Sequence, residues 1–503
     1  MATSGDTPSL PRNRLAPLVY LSNNWISLLG VVVVTTATVF WLFLLPFSLR
    51  GEITHPYIGI LAFLLLPAVF ILGLILIPIG IAYRRHRDRS EGSTPTSFPE
   101  LNWRNHDFRR LLLFIAVTTF LNLVIASQLT YSAVTFMDSK TFCGLACHRI
   151  MSPEYIGNRN SVHAGVECAA CHIGPGAVSF VRAKMAGTGQ LFAVMFNTYP
   201  RPIPTPVKSL RSARDTCDEC HAPGLFLGDT PVVHTSYASD EQNSATTTVL
   251  LMKVGGRTWN GNVGIHGAHL AEGSSISYVA TDAERQTIPQ VIYTAPDGKQ
   301  TVYNDTTAKI TPQELARGEH RSMDCVDCHN RIGHPFELPE RALDEAMSTG
   351  HISPTLPFIK KQALAALKQS YPDRDTANSR IAETLNGFYS GRYPQIYSQN
   401  RKQVDNAVAA VQGIYASNVF PEMKITWGTY SSNLGHTDSP GCFRCHDGNH
   451  TSAGGKTIPN DCGTCHDMKA VDEKNPAILS DLDLAPAQST TAQNTTAQGT
   501  PSQ

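Results

Sequence analysis

Cysteine is missing from the first part of this chain of 503 residues, which has none before Cys143. The twelve cysteines that follow all fall into short pairs, and each pair ends in Cys-His. No cysteine is left over for another purpose. An even number of cysteines in an exported protein usually suggests disulfides, but the histidine after each second cysteine favours haem attachment instead.

An excess of charge of either sign is also missing. Lysine and arginine together number 41, aspartate and glutamate together number 41, and the formal net charge is zero. A basic balance would favour nucleic acid as a partner. The composition gives no such indication, and we expect no nucleic-acid binding.

Charged residues are missing from three apolar runs in the first part of the chain. Each run meets the length of about 20 residues that a membrane-spanning helix needs, whereas a buried core helix rarely has so many residues without a charge. The first run lacks a small-residue cleavage pattern, so we expect an uncleaved anchor rather than a signal peptide. The sequence therefore predicts a three-helix transmembrane anchor over residues 25–137, with the runs Trp25–Leu49, Tyr57–Tyr83 and Leu111–Met137.

The distribution of arginine predicts the orientation of this anchor. The loop between the first two runs holds only Arg50, whereas residues 1–24 contain Arg12 and Arg14. Positive residues favour the cytoplasmic side. We therefore expect residues 1–24 and the linker in the cytoplasm, the helices in a bacterial inner membrane, and everything after them in the periplasm, where c-type haem is attached. The linker between the second and third runs holds Arg84, Arg85, Arg87, Arg89, Arg104, Arg109 and Arg110.

Five segments have the spacing Cys-x-x-Cys-His, the attachment signal of c-type haem. The two thiols form thioethers with the porphyrin, and the histidine becomes the proximal ligand of the iron. A structural zinc site also uses pairs of cysteines, but it does not need a histidine directly after each second one. In chain order we name them site 2 (Cys168, Cys171, His172), site 3 (Cys217, Cys220, His221), site 4 (Cys325, Cys328, His329), site 5 (Cys442, Cys445, His446) and site 6 (Cys462, Cys465, His466).

A further segment, site 1, has one extra residue between its thiols: Cys143, Cys147 and His148. A vacant site or a disulfide would be the alternative interpretation. We favour a haem, because the histidine is kept and both thiols otherwise lack a use. The sequence therefore predicts six covalently bound haems.

Distal iron ligands are harder to assign. Met151 follows His148 by three residues and can fold back onto the first iron, where methionine would raise the reduction potential. Nine further histidines compete for about five places, and His234 and His351 are more typical of surface residues. His334 stays among the competitors. The favoured candidates are His163, His320, His436 and His450, each close in sequence to an attachment site, followed by His266 and His269.

The region after the anchor divides by composition. Residues 138–225 hold three attachment sites and leave little room for a protein core. Residues 226–318 form a β-rich insertion, with alternating segments Thr246–Val254, Ser275–Ala280, Gln290–Thr294 and Thr301–Tyr303 separated by Gly-Gly and Asp-Gly turns. Residues 319–484 hold the other three sites and helical segments such as Ile359–Tyr371 and Arg401–Tyr415. Residues 485–503 are polar, without periodicity, and are expected to be disordered.

The sequence resembles the NapC/NirT family of membrane-bound, quinol-oxidising multihaem cytochromes from site 1 onward. The resemblance rests on Cys147–Tyr155, Ser161–Ile173 and Phe180–Lys184 and covers about ninety of the 503 residues. It implies a membrane-anchored multihaem cytochrome with a mainly α-helical and irregular haem-packed periplasmic region. Three helices, more haems than the family's usual four, and the wide spacing of site 1 depart from that pattern. These features are similar to the larger inner-membrane cytochromes of metal-reducing bacteria.

The resemblance also implies a quinol site. Met151 matches the residue that serves the first haem, and Lys184 matches the lysine beside the quinol pocket. The family places a carboxylate near that lysine, but this chain has no Asp or Glu between Glu167 and Asp215. Either Glu154 or Glu167 accepts the proton, or the site is built differently. Lys184 could also be a surface lysine near the membrane.

The expected function is therefore a quinol dehydrogenase for anaerobic or extracellular respiration. Menaquinol or ubiquinol would be oxidised beside site 1, and electrons would pass through six haems to a periplasmic cytochrome or reductase. Two alternatives stay open: a terminal oxyanion reductase, which needs an iron with an open coordination position, and a non-catalytic electron-transfer subunit of a larger membrane complex.

Overall fold

The computed structural model describes residues 21–22, 24–49, 65–92, 134–146, 150–174, 192–207, 212–222, 228–259 and 261–484, with scattered positions in 109–132 and 183–190. The chain folds as two compact units, Met1–Arg149 and Ile150–Gln503. Several predictions fall outside the described residues: Lys184, Cys147, His148 and the tail 485–503.

The first unit is built on two packed helices, α1 (Trp25–Leu49) and α2 (Leu66–Ser90). They meet through Val34, Ala37 and Phe70, which are buried. Glycine lets their backbones approach closely, since a Cβ at Gly73 would lie only 2.8 Å from Cγ2 of Val34. Close packing through small residues is typical of helices in a bilayer.

One helix within the described residues meets the length and the apolar composition of a membrane span taken together. Among the residues that the structure describes, α2 alone is long and apolar enough to cross a membrane, and Trp25–Thr38 is a shorter apolar stretch. Of the third predicted run only scattered positions are described, including the buried Ile125 and Leu129. The structure therefore supports one span by this criterion, and a three-helix anchor remains a proposal.

The second unit begins with short helices joined by turns, as expected for a region with little room for a core. In site 2, a helix begins directly at Cys168. The residue before it, Glu167, has an extended backbone. These helices are α3 (Ser152–Arg159), α4 (Cys168–His172) and α5 (Ala213–Cys217).

The next part of the chain is rich in strands. Strands β5 and β6 coincide with two of the predicted segments, whose β-branched and aromatic residues favour extended backbone. The elements are β1 (Thr230–Tyr237), β2 (Ala245–Met252), β3 (Gly256–Thr258), β4 (Gly261–Val263), α6 (Gly264–His269), β5 (Ser275–Ala280), β6 (Gln290–Thr294), β7 (Gln300–Asp305), α7 (Pro312–Arg317), β8 (Glu319–Ser322) and α8 (Cys325–Cys328).

A haem-free group of helices follows and contains the largest hydrophobic core of the unit. Leu343, Ile359, Ile381 and Val411 are fully buried in it. The elements are α9 (Pro339–Ser348), α10 (Ile359–Leu367), α11 (Arg374–Arg392), α12 (Pro394–Gln399) and α13 (Arg401–Asn418). Helices α10 and α13 begin where the sequence predicts them to begin, because their apolar residues recur at helical spacing.

The last described segment completes two sheets that the insertion starts. It contains β9 (His450–Ser452), α14 (Cys462–Cys465), β10 (His466–Glu473) and α15 (Ile478–Asp481). One sheet has the strand order β1-β2-β10 and another the order β8-β5-β6-β7-β9, with antiparallel pairing throughout. The β-rich region is therefore continuous with the segments around sites 4, 5 and 6 rather than a separate domain.

Candidate haem sites

The regular attachment segments each form a single tight helical turn. Sites 2, 4 and 6 begin helices α4, α8 and α14 at their first cysteine, and site 3 ends helix α5 at its own. Site 5 forms a short 3-10 turn, Gly441–Arg444. A Cys-x-x-Cys turn brings both thiols to one side of the backbone, where one porphyrin can take them. The eight cysteines of sites 3 to 6 form no disulfides.

Five pairs of histidine rings lie close together, and each pair contains the proximal histidine of one regular site. The two members of a pair come from different parts of the sequence. The distances between ring centroids are 6.0 Å for His172 and His334, 5.9 Å for His221 and His163, 6.3 Å for His329 and His266, 5.8 Å for His446 and His269, and 6.2 Å for His466 and His436.

This spacing fits two imidazoles on one iron. A metal–imidazole nitrogen bond is about 2 Å long, so two rings on opposite sides of one metal place their centroids about 6 Å apart. Stacked rings in direct contact would lie closer, as His436 and Phe443 do at 4.2 Å. The residues of sites 2 to 6 therefore fit a haem with two histidine ligands.

Hydrogen bonds fix the orientation of several of these rings. Nδ1 of His334 lies 2.9 Å from the Glu154 carbonyl oxygen, and Nδ1 of His269 lies 2.8 Å from that of Ile265. Nδ1 of His446 lies 2.6 Å from the Pro459 carbonyl oxygen. A carbonyl can only accept, so Nδ1 carries the proton and Nε2 has a lone pair for a metal.

Other rings bury a nitrogen without a partner. Nδ1 of His163, His266 and His466 is buried and has no hydrogen-bond partner within the described part of the chain. Buried polar atoms normally have partners. Such orphaned nitrogens beside a second imidazole are consistent with rings that are oriented by a bound group.

Burial also favours the neutral imidazole that iron binds. It lowers the pKa of His172, and the charge of His334 lowers it further. Burial likewise lowers the pKa of His329 and of His269. Near neutral pH these rings are therefore uncharged, which is the ligating form.

Two candidate ligands come from one short helix, α6. Its start is held against the end of β2, since the N–H groups of Ile265 and His266 donate to the carbonyls of Lys253 and Val254 at 2.8 and 2.9 Å. Gly264 has a φ of +68°, in the left-handed region that favours glycine. One turn of helix thereby presents His266 to site 4 and His269 to site 5.

Two predicted distal ligands are placed elsewhere. His450 is buried, with Nδ1 2.9 Å from Oδ1 of Asp447 and Nε2 2.7 Å from the Ile288 carbonyl oxygen. Neither nitrogen is left for iron. His320 lies in β8 opposite Val279 and is exposed. We therefore leave both out of the ligand set and include His334, whose partner His172 is remote in sequence.

At site 1 the description is partial. Cys143 lies in a π-helical turn, Phe142–Ala146, and Met151 directly precedes α3. Glu154, in α3, faces site 2: its Oε2 lies 3.3 Å from Nδ1 of His334 and 3.7 Å from Nη1 of Arg331. The ligand role of Met151 stays a prediction, since His148 is outside the described residues.

Neighbouring attachment sites contact one another in chain order. Helix α5 of site 3 packs against α4 of site 2 and α8 of site 4. Cys217 of site 3 lies within hydrogen-bond reach of Cys325 of site 4, and Cys328 of site 4 lies near Cys442 of site 5. Cys442 of site 5 also acts on Cys465 of site 6. The sites thus form an unbroken series from 2 to 6.

Comparison with known proteins identifies the family of this chain. The family model described as the N-terminal region of the NapC/NirT cytochrome c family matches residues 106–203. The chain is 38% identical over 446 residues to the cytochrome c-type protein ImcH of Geobacter sulfurreducens, covering 88% of each chain. No solved structure matches. The chain therefore belongs to the NapC/NirT family, as a membrane multihaem cytochrome c that carries covalently bound haem and works in electron transfer.

Proposed function

We propose that this cytochrome oxidises a membrane quinol beside site 1 and passes the electrons through six haems to a periplasmic acceptor. The observation that carries the proposal is the unbroken series of sites 2 to 6, each with two histidines facing each other. Haem iron with two strong protein ligands exchanges electrons without binding a substrate. Electrons enter at site 1 and leave from sites 5 and 6 to a soluble cytochrome or reductase.

The quinol, menaquinol or ubiquinol, docks close to the end of the third predicted span, where Met151 serves the first iron. Its oxidation releases two electrons, one after the other, and two protons to the periplasm. Lys184 positions the quinol oxygen. The proton passes either to Glu154, whose carboxylate lies beside Arg331 and His334, or to Glu167. The haem supplies the redox chemistry, and these residues bind the quinol and take its proton.

The predicted topology belongs to the same proposal. Three helices anchor the chain in the inner membrane, and the haem sites lie in the periplasm. The close packing of α1 and α2 supports a helical anchor. The arginine-rich end of α2, with Arg87 and Arg89 in its last turn, supports a cytoplasmic end for that helix.

A terminal reductase is less well supported. Such an enzyme needs an iron with an open position, and the five regular sites each have a second imidazole near the first. A non-catalytic subunit of a larger complex would have the same haem sites but would need a partner to oxidise quinol.

The test uses the purified full chain in lipid nanodiscs. Mass spectrometry should give six haems per chain, and the double variant C143S/C147S should give five. A menaquinol analogue should reduce the wild-type haems, and K184A should slow this at least tenfold while dithionite still reduces it fully. Lys402, an exposed lysine of the haem-free helices, provides the matched control K402A, which should behave as wild type.

Failure of the wild type to accept electrons from quinol would favour the subunit alternative. A high-spin, five-coordinate haem in the magnetic-resonance spectrum would favour the reductase.

A further inference from the structure

Asp327 is a buried carboxylate inside a haem-attachment segment. It lies between the two cysteines of site 4, two residues before His329, and it is 3% exposed. Its Oδ1 accepts hydrogen bonds from Oη of Tyr278 and Nε of Arg321, both at 2.7 Å, and its Oδ2 accepts the Asp324 N–H at 2.6 Å. Three donors on two oxygens, one of them a guanidinium, match the hydrogen-bonding capacity of a carboxylate.

The corresponding position of site 5 holds the opposite charge. Arg444 lies two residues before His446, and its guanidinium donates to three backbone carbonyls: Gly441, Arg285 and Asp327, at 2.8, 2.9 and 2.6 Å. No ion pair with a carboxylate neutralises Arg444 within the described residues. The attachment turns of sites 4 and 5 are therefore joined directly, with a carboxylate in one and a guanidinium in the other.

Other groups around the carboxylate reduce its effect without removing it. Arg321 pairs with Asp327 at 2.7 Å but is partly exposed, with 23% of its side chain accessible, against 3% for the aspartate. Burial and the charge of Asp327 both raise the pKa of Tyr278, so this phenol stays neutral and only donates. Arg285 is neutralised by Glu319 through two hydrogen bonds of 2.9 and 2.7 Å. Asp324, whose Oδ1 accepts the Cys325 N–H at 2.7 Å, places a second carboxylate at the start of this attachment turn.

The sign of the effect follows from the charge of the haem iron. Reduction adds one electron and changes no bond, so a nearby negative charge stabilises the oxidised form and lowers the reduction potential. A nearby positive charge does the reverse. Both effects are larger for buried groups, because water screens them less.

We propose that Asp327 and Arg444 set a directional step in reduction potential, in which Asp327 holds the haem of site 4 low and Arg444 raises that of site 5. Electrons then pass from site 4 to site 5 with a favourable free energy and return slowly. This inference rests on the haem order of the proposed function but not on quinol as the donor.

The test is a spectroelectrochemical titration of the full haem-loaded chain, with mediators and dithionite in place of quinol. D327N should raise one midpoint potential by at least about 59 mV, which for one electron is a tenfold change in the equilibrium constant. R444Q should lower a different midpoint by a similar amount, and R444K should restore it. H266M identifies the midpoint of site 4, because methionine ligation raises it.

A matched control comes from site 3. Glu219 stands at the same offset before His221 but is exposed, so E219Q should shift a midpoint by less than a third of the D327N effect. If D327N fails to assemble, R321Q offers a second measurement: it leaves the carboxylate unpaired and should lower the site 4 midpoint. Shifts of D327N and R444Q in the same direction, or no larger than that of E219Q, would overturn the proposal. If the midpoint potentials shift as expected but quinol does not reduce the wild type, only the proposed electron donor is wrong.

Discussion

The rings of His172 and His334 lie 6.0 Å apart, although His172 belongs to site 2 and His334 follows site 4. The chain thus uses a residue beyond one attachment segment to complete another. Helix α3 holds the segment that carries His334. The Asn158 side chain donates to the Gly333 carbonyl, and the Glu154 carbonyl accepts from Nδ1 of His334.

Removing this ring should open one coordination position. H334A leaves the iron of site 2 with His172 alone, so one low-spin signal should disappear and a high-spin signal should appear in the electron paramagnetic resonance spectrum. The control is H351A, since His351 is exposed and its Nδ1 lies 2.9 Å from the Thr349 hydroxyl. An unchanged low-spin spectrum in H334A would show that His334 is not a ligand.

A buried ion pair should stabilise the haem-free helices. Nζ of Lys360 lies 2.6 Å from Oδ1 of Asp344, with side chains 4% and 9% exposed. Lys360→Met leaves the carboxylate buried without its charge partner, and we expect a loss of about 3–5 kcal/mol in the free energy of unfolding. Hydrogen exchange of the amides in α9–α13 measures this loss.

The matched control is an exposed pair in the same group of helices. Arg380 and Glu383 lie 2.7 Å apart with side chains 62% and 67% exposed. Glu383→Gln should cost about 0–1 kcal/mol, because water screens such pairs. Equal losses of protection in the two variants would contradict the assigned role of Lys360.

Glu337 should make stability depend on pH. Burial and the charge of Glu345 raise its pKa to about 7, from an ordinary value of 4.5. Between these two values the folded chain binds more protons than the unfolded chain, so stability is complete below pH 4.5 and falls as the pH rises towards 7. The loss over this window is at most about 3 kcal/mol.

E337Q removes the titration and should flatten this part of the profile. The measurement is the thermal unfolding midpoint from pH 4.5 to 7.5, read as the difference between wild type and variant so that other groups cancel. Parallel profiles would mean that Glu337 ionises as freely in the folded chain as in the unfolded one.

The sequence alone predicts the attachment sites, because the spacing Cys-x-x-Cys-His is what haem attachment requires. It also predicts β5 and β6, whose residue types favour strands, and the starts of α10 and α13, whose apolar residues recur at helical spacing. It does not predict which histidine completes which site. His450 has a spacing from site 5 similar to that of His436, yet its two ring nitrogens are taken by Asp447 and the Ile288 carbonyl.

Tertiary contacts decide these assignments. His163 precedes site 2 but faces His221 of site 3, so proximity in sequence points to the wrong haem. The sequence also does not predict strand β1, because Pro231 interrupts it and its first residues are exposed. Its antiparallel pairing with β2 makes this segment a strand, although its own sequence does not predict one.

The pairing of β2 with β10 links the histidines of α6 to the last attachment segment. Met252 is opposite His466, and Leu251 is opposite Asp467. The N–H groups of Ile265 and His266 in turn donate to the carbonyls of Lys253 and Val254, directly after β2. The support of α6, which carries the histidines facing those of sites 4 and 5, is therefore complete only once the segment of site 6 has folded against β2.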